Sequence, residues 1–170
     1  MNYINPPFNY SGSKLKLLEQ ILPLFDYSKK YFIDLFCGGG SVYTNILDKY
    51  EKVLINDVLS DLIDIHKNLS VNPHHFIESV KELAKTKKNQ ELYNILRSSY
   101  NQEKTPEKLY ALMLSCTNNT IRYNQKGLFN QTWGQREFND SIEKLEAIEK
   151  VIKRLPFKPI FWCYARLDLL

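Results

Sequence analysis

YFIDLFCGGGSVYTNI, residues 31–46, decides the fold of this chain. Tyr31 to Phe36 is a short apolar run broken by one acid, the pattern of a buried strand. Gly38, Gly39 and Gly40 turn the chain, and Val42, Ile46 and Leu47 mark an expected helix. Working outward, Leu15, Leu18, Ile21 and Leu22 recur at helical spacing, and Pro23 closes that helix. Downstream, Lys52 to Asn56 (KVLIN) predicts a second strand with Asp57 at its C-terminal end. Leu59, Leu62, Ile63, His66 and Leu69 then form a helical face. Helix, strand, glycine turn, helix, strand, helix is an α/β pattern built on a parallel sheet.

A glycine-rich turn between strand and helix lets a ligand approach the backbone closely. Amides at a helix start favour an anion or carboxylate nearby. Asp57 follows Gly40 by 17 residues, a spacing that suits the diol of a ribose. CGGGSV is not GxGxxG, and GxxxxGK[ST] is absent. An acid just ahead of the turn, as in DLFCGGGS, suits S-adenosylmethionine, with Asp34 meeting the cationic amino end of the methionine. On these residues alone, a plain tight turn without ligand stays open.

The texture changes after residue 70. FIESVKELAKTKK, NQELYNILRSSYNQ and PEKLYALMLSCT read as charged helices, with Pro73 and Pro106 at helix starts. Residues 118–138 lose the helical period. Ile121, Tyr123, Leu128, Phe129 and Trp133 there alternate with Asn, Gln, Lys and Arg around Gly127, which predicts a β-hairpin or a long polar loop. A helix is expected over 139–154 and a last strand over Pro159–Tyr164.

At 170 residues the chain is one domain, or one domain with an inserted lobe. The net charge of +4 permits contact with a polyanion without demanding it, and argues against an acidic DNA mimic. Cys37, Cys116 and Cys163 form no CxxC pair, so neither a metal site nor a disulfide framework is expected. Reduced thiols, no signal peptide and no apolar run of spanning length place the expected protein in a cytoplasm, away from membranes. His66, His74 and His75 lack ligand spacing and read as surface or core residues.

Three segments in order carry a resemblance: YSGSKLKLL (Tyr10–Leu18), FIDLFCGGGSV, and INDVLSDLIDIHKNL. With them goes NNTIRYNQKGLFNQTWGQR (Asn118–Arg136). Together they resemble the Dam-type DNA adenine-N6 methyltransferases, in particular the short T-even phage version. The resemblance implies a partial S-adenosylmethionine-dependent, Rossmann-like sheet with an inserted helical target-recognition lobe and β-hairpin. The core would take 1–70, the lobe 71–154 with its hairpin at 118–138, and a return strand 155–170. It further implies that Tyr10 and Lys14 line the cofactor pocket, and that Asp34, Phe36, Gly38 and Gly40 shape its methionine side. Asp57 would take the ribose hydroxyls. Arg122 and Arg136 would reach bases of double-stranded DNA, in or beside a GATC-like site, and Lys126 a phosphate. The plainer alternatives are a helix-capping Lys14, an Asp34 satisfied by backbone amides, and solvated hairpin arginines.

The family's catalytic D-P-P-Y, expected after the lobe, is not found in these residues, nor is NPPY or SPPY. NPPF at Asn5–Phe8 precedes the cofactor segment and reads as an extended arm. No catalytic residue is therefore assigned, and the expectation is a chain truncated before DPPY and inactive alone. The first strand would lack a neighbour, so a homodimer, a partner, or the tail FKPIFWCYARL is expected to cover it. Two functions stay open. One is the cofactor- and DNA-binding half of a methyltransferase. The other is a dead phage remnant reused to inhibit a host nuclease, for example as an anti-CRISPR, or as a DNA-binding regulator. A decayed product without a role is the bland third.

Overall fold

The computed structural model describes residues 3–7, 10–84, 89–134, 143, 145–147, 149–150, 153 and 159–163. Among them a mixed α/β fold holds a parallel sheet of β1 (Tyr31–Asp34), β2 (Lys52–Asp57) and β3 (Ile160–Cys163), in the order β1-β2-β3. Asp34 lies opposite Ile55, and Asp57 opposite Cys163. Both acids therefore reach the carboxyl edge of the sheet, where open α/β sheets bind ligands.

β2 is central, with Val53 and Ile55 fully buried. β1 is an edge: Tyr31 and Ile33 are 59% and 56% exposed, and Leu35 and Phe36 beyond it are also exposed. The sequence left open that the C-terminal tail packs into the gap beside β1. Instead β3 pairs with the far side of β2, where Phe161 packs onto the core under the sheet. Among the described residues, no strand pairs with the outer edge of β1.

Two further expectations need correction. The helix expected after the glycines is a single 3-10 turn, Tyr43–Asn45. The Asn45 side chain takes a carbonyl a helix would use: its Nδ2 donates to Ser41 O (2.8 Å), while its amide turns to Val42 O (3.0 Å). Upstream, a short α1 (Leu18–Ile21) lies between 3-10 turns at Leu15–Leu17 and Leu22–Leu24, and Pro23 sits inside the second turn.

After β2 come the helices α2 (Ser60–Val71), α3 (Pro73–Ala84), α4 (Gln90–Gln102) and α5 (Pro106–Ser115). Asn89 caps α4 by accepting from the Glu91 amide, and Thr105 caps α5 by accepting from the Lys108 amide. α2 is the shared wall. Its Leu62, Ile65 and Leu69 face the helical core with Phe76, Tyr93 and Tyr110, while Ile63 faces the core beneath the sheet with Tyr43, Ile46 and Val53. None of the helices among the described residues is long and apolar enough to cross a membrane.

The N-terminal segment is a strap. Ile4 and Asn45 exchange two hydrogen bonds (2.8 and 2.9 Å). Pro6 and Pro7 are buried, and the Pro7 carbonyl accepts from the buried Tyr110 hydroxyl. A carbonyl engaged this way inside the core is not offered to a substrate.

Candidate functional site

β1 ends at Asp34, and the chain passes through Leu35 and Phe36 into the glycine turn. Gly38 and Gly40 have φ of +49° and +86°, the left-handed region that disfavours side chains. The Gly38 amide donates to Asp57 Oδ2 (3.0 Å), the Leu59 amide to Asp57 Oδ1 (3.1 Å), and the Cys37 amide to Asn56 O (2.9 Å). Asn56 Nδ2 returns to Leu35 O (2.8 Å). One carboxylate thus joins the glycine turn to the start of α2. Tyr10 lies over Gly38: a methyl group there would come within 3.2 Å of its ring. Ser13 Oγ and the Lys14 amide both bond Ser41 Oγ (3.0 and 3.2 Å), which seats Tyr10–Lys14 on the turn. The Lys14 ammonium donates to Gly12 O and is exposed, while its charge still favours ionised Asp34.

Asp34 is the unusual group. Burial lifts its pKa to about 6, against the pull of the Phe36 and Tyr43 amides, with the Asp57 charge adding to the rise. Its Oδ2 is buried without a hydrogen-bond partner. A buried acceptor of this kind costs about 1–3 kcal/mol until a donor meets it. The plain alternative of an Asp34 satisfied by backbone amides accounts for one oxygen only. Phe36, expected beside it, is 86% exposed.

The sequence missed His66. It is buried under the turn, where Nε2 meets Gly38 O (2.8 Å) and Nδ1 meets the Tyr43 hydroxyl (2.8 Å). A carbonyl only accepts, so Nε2 carries the proton and Nδ1 accepts from Tyr43. Burial holds the imidazole neutral, with a pKa lowered to about 4. His66 lies on the Ile63 side of α2, and that helical phase was its one legible signal.

The hairpin residues stand apart from this turn. Antiparallel bridges join Cys116 to Trp133 and Tyr123 to Phe129, with Gly127 (φ +70°) at the bend. One face of α4 grips the returning arm. Asn101 bonds both the amide and the carbonyl of Phe129 (2.8 and 3.1 Å), as a neighbouring strand would, and Tyr93 OH and Arg97 donate to Gln131 O. Arg122 is exposed and folded onto Asn130, with Nε on Oδ1 (2.9 Å) and Nη2 on the carbonyl (2.8 Å). Lys126 is exposed at the tip. Arg136 lies outside the described residues. Trp133 packs against the helical core.

Comparison with known proteins bears on both halves. Residues 10–161 match the family model of the D12 class N6 adenine-specific DNA methyltransferase. The chain is 34% identical over 148 residues to the type II methyltransferase M.FokI of Planomicrobium okeanokoites, covering 84% of this chain and 23% of that protein. It is 34% identical over 133 residues to the DNA N-6-adenine-methyltransferase of Escherichia phage P1, covering 75% of this chain and 17% of that one. The DNA adenine methylase of Serratia marcescens is 29% identical over 134 residues, 74% of this chain and 47% of the relative. The chain therefore spans less than half the length of each of these relatives.

Proposed function

This chain belongs to the D12 class of N6 adenine-specific DNA methyltransferases, and from that premise we propose that it is the cofactor- and DNA-binding portion of such an enzyme. The observation that carries this is the orphaned Asp34 oxygen beside a glycine turn tied to Asp57. S-adenosylmethionine would supply the methyl group. Its α-ammonium is the cationic donor that Asp34 Oδ2 lacks, and charge favours that pairing. Asp57 keeps free lone pairs on both oxygens for ribose hydroxyls, and Gly38, Gly40, Tyr10, Lys14 and Phe36 would frame the cofactor. Core, lobe and return segment follow the boundaries 1–70, 71–154 and 155–170.

In the hairpin, Arg122 and Arg136 suit guanine edges, and Lys126 a phosphate. Methyl transfer further needs groups that hold the target amine in line with the methyl donor. The family's DPPY performs that task, and these 170 residues do not contain it. A segment bearing it would complete the sheet as a strand on the open edge of β1. This reading makes the chain inactive alone and active when paired, in the cytoplasm.

Calorimetry with S-adenosylmethionine and anisotropy with an adenine-containing duplex test the proposal. Micromolar cofactor binding and salt-sensitive duplex binding are expected. Arg122→Ala should relax site preference, and Lys126→Ala should weaken all duplexes alike. A chain that binds a host nuclease and neither of these ligands would instead be a reused scaffold.

A further inference from the structure

Tyr123, one residue after Arg122, donates through its hydroxyl to Asp61 Oδ2. Tyr100 of α4 reaches the same oxygen (3.2 Å), and the two hydroxyls are 2.7 Å apart. Burial is the first cause raising both phenol pKa values, so both remain donors at neutral pH. The Phe129 ring meets both tyrosines edge-on, and Lys104 Nζ sits 4.8 Å above the Tyr123 ring. Asp61 stands in the first turn of α2, just past Leu59, whose amide binds Asp57. α4 grips the returning hairpin arm through Phe129 and Gln131. The arm bearing Arg122 is tied to the cofactor side through Tyr123.

We infer that Asp61 is a positioning residue for DNA recognition, pinning the hairpin through the Tyr123 hydroxyl so that Arg122 and Lys126 stand in register with the Gly38–Asp57 turn. This rests on the hairpin being the DNA-contacting element. A rigid support held by a charge-assisted bond lowers the ordering cost of binding.

Tyr123→Phe removes only the hydroxyl. It should weaken binding of a labelled adenine-containing duplex about tenfold and leave S-adenosylmethionine affinity within about twofold. Asp61→Asn keeps an oxygen that accepts from Tyr123 but loses its charge, so it should weaken duplex binding less than Tyr123→Phe does, and the double variant should be no weaker than Tyr123→Phe alone. Tyr100→Phe leaves the Tyr123 bond in place and should keep duplex affinity within about twofold. In the free chain, hydrogen exchange should show the Asn124 and Leu128 amides losing protection in Tyr123→Phe. Unchanged duplex affinity in Tyr123→Phe, equal loss of both ligands, or tighter binding by Asp61→Asn would each overturn the inference, the last because it would make the carboxylate a mere phosphate repeller. A wild-type chain that binds no duplex overturns the underlying reading and this inference together. A wild-type chain that binds duplex as well as Tyr123→Phe does overturns the inference alone.

Discussion

Asp34→Asn should lose S-adenosylmethionine binding by about ten- to a hundredfold and yet melt at a higher temperature than the wild type at pH 8. The first effect follows from removing the negative partner of an ammonium, a bond of about 1.5–3 kcal/mol. The second follows from burial. A carboxyl lifted to about 6 from its ordinary value near 3.8 costs about 3 kcal/mol once ionised. The asparagine amide would itself be buried where Oδ2 found no partner, so the net gain is about 1–2 kcal/mol, or ~4 °C for a chain of this size. Undiminished cofactor binding by the variant would remove Asp34 from the site.

The pH dependence carries a sign that can be checked. Between about pH 4 and 6 native Asp34 keeps a proton that the unfolded chain has released, so its contribution to stability falls as pH rises through that window. His66 acts oppositely. Its native imidazole stays neutral down to about pH 4 while the unfolded chain protonates near 6.5, so its contribution is lost as pH falls between those values. Each is worth about 3 kcal/mol, and in the wild type the two slopes largely offset. Asp34→Asn leaves the His66 slope unopposed. The variant's advantage at pH 8 should therefore shrink on acidification and reverse below about pH 5. Parallel melting curves for the two proteins from pH 8 to 4 would contradict the burial of Asp34.

Gly40→Ala should be the most damaging single methyl group in the cofactor turn. Its Cβ would stand 2.6 Å from Tyr43 Cε1 and 3.0 Å from His66 Cε1, at φ +86°. Neither ring can yield cheaply, because both are buried and bonded to each other. Backbone strain of about 1–2 kcal/mol adds to the clash, for a total of about 3 kcal/mol and ~10 °C. Gly38→Ala meets only the half-buried Tyr10 ring at 3.2 Å and should cost about 1 kcal/mol. If Gly40→Ala melts no lower than Gly38→Ala, the Tyr43–His66 buttress is not what shapes the turn.

Local pattern determined much of this protein. Strand period and glycine chemistry were enough for β1, β2 and the turn between them, because each is dictated by neighbouring residues. Pro73 and Pro106 marked the starts of α3 and α5 for the same reason. The family was legible in YSGSK, the CGGGSV turn, the Asn56-Asp57 pair and the hairpin, and residues 10–161 match its model. What failed was whatever depends on partners distant in the chain. The helix after Gly40 looked sound by spacing, yet Asn45 spends its side chain on the Ser41 carbonyl and the N-terminal strap. The side of the sheet taken by β3 is set by where Phe161 finds an apolar surface, which no local period encodes. His66 and Asp61 read as ordinary positions on one helix. Only the tertiary fold turns one toward Gly38 and the other toward Tyr123, 28 and 62 residues away, because a hydrogen bond is specified by where two groups meet in space and not by the period of either segment.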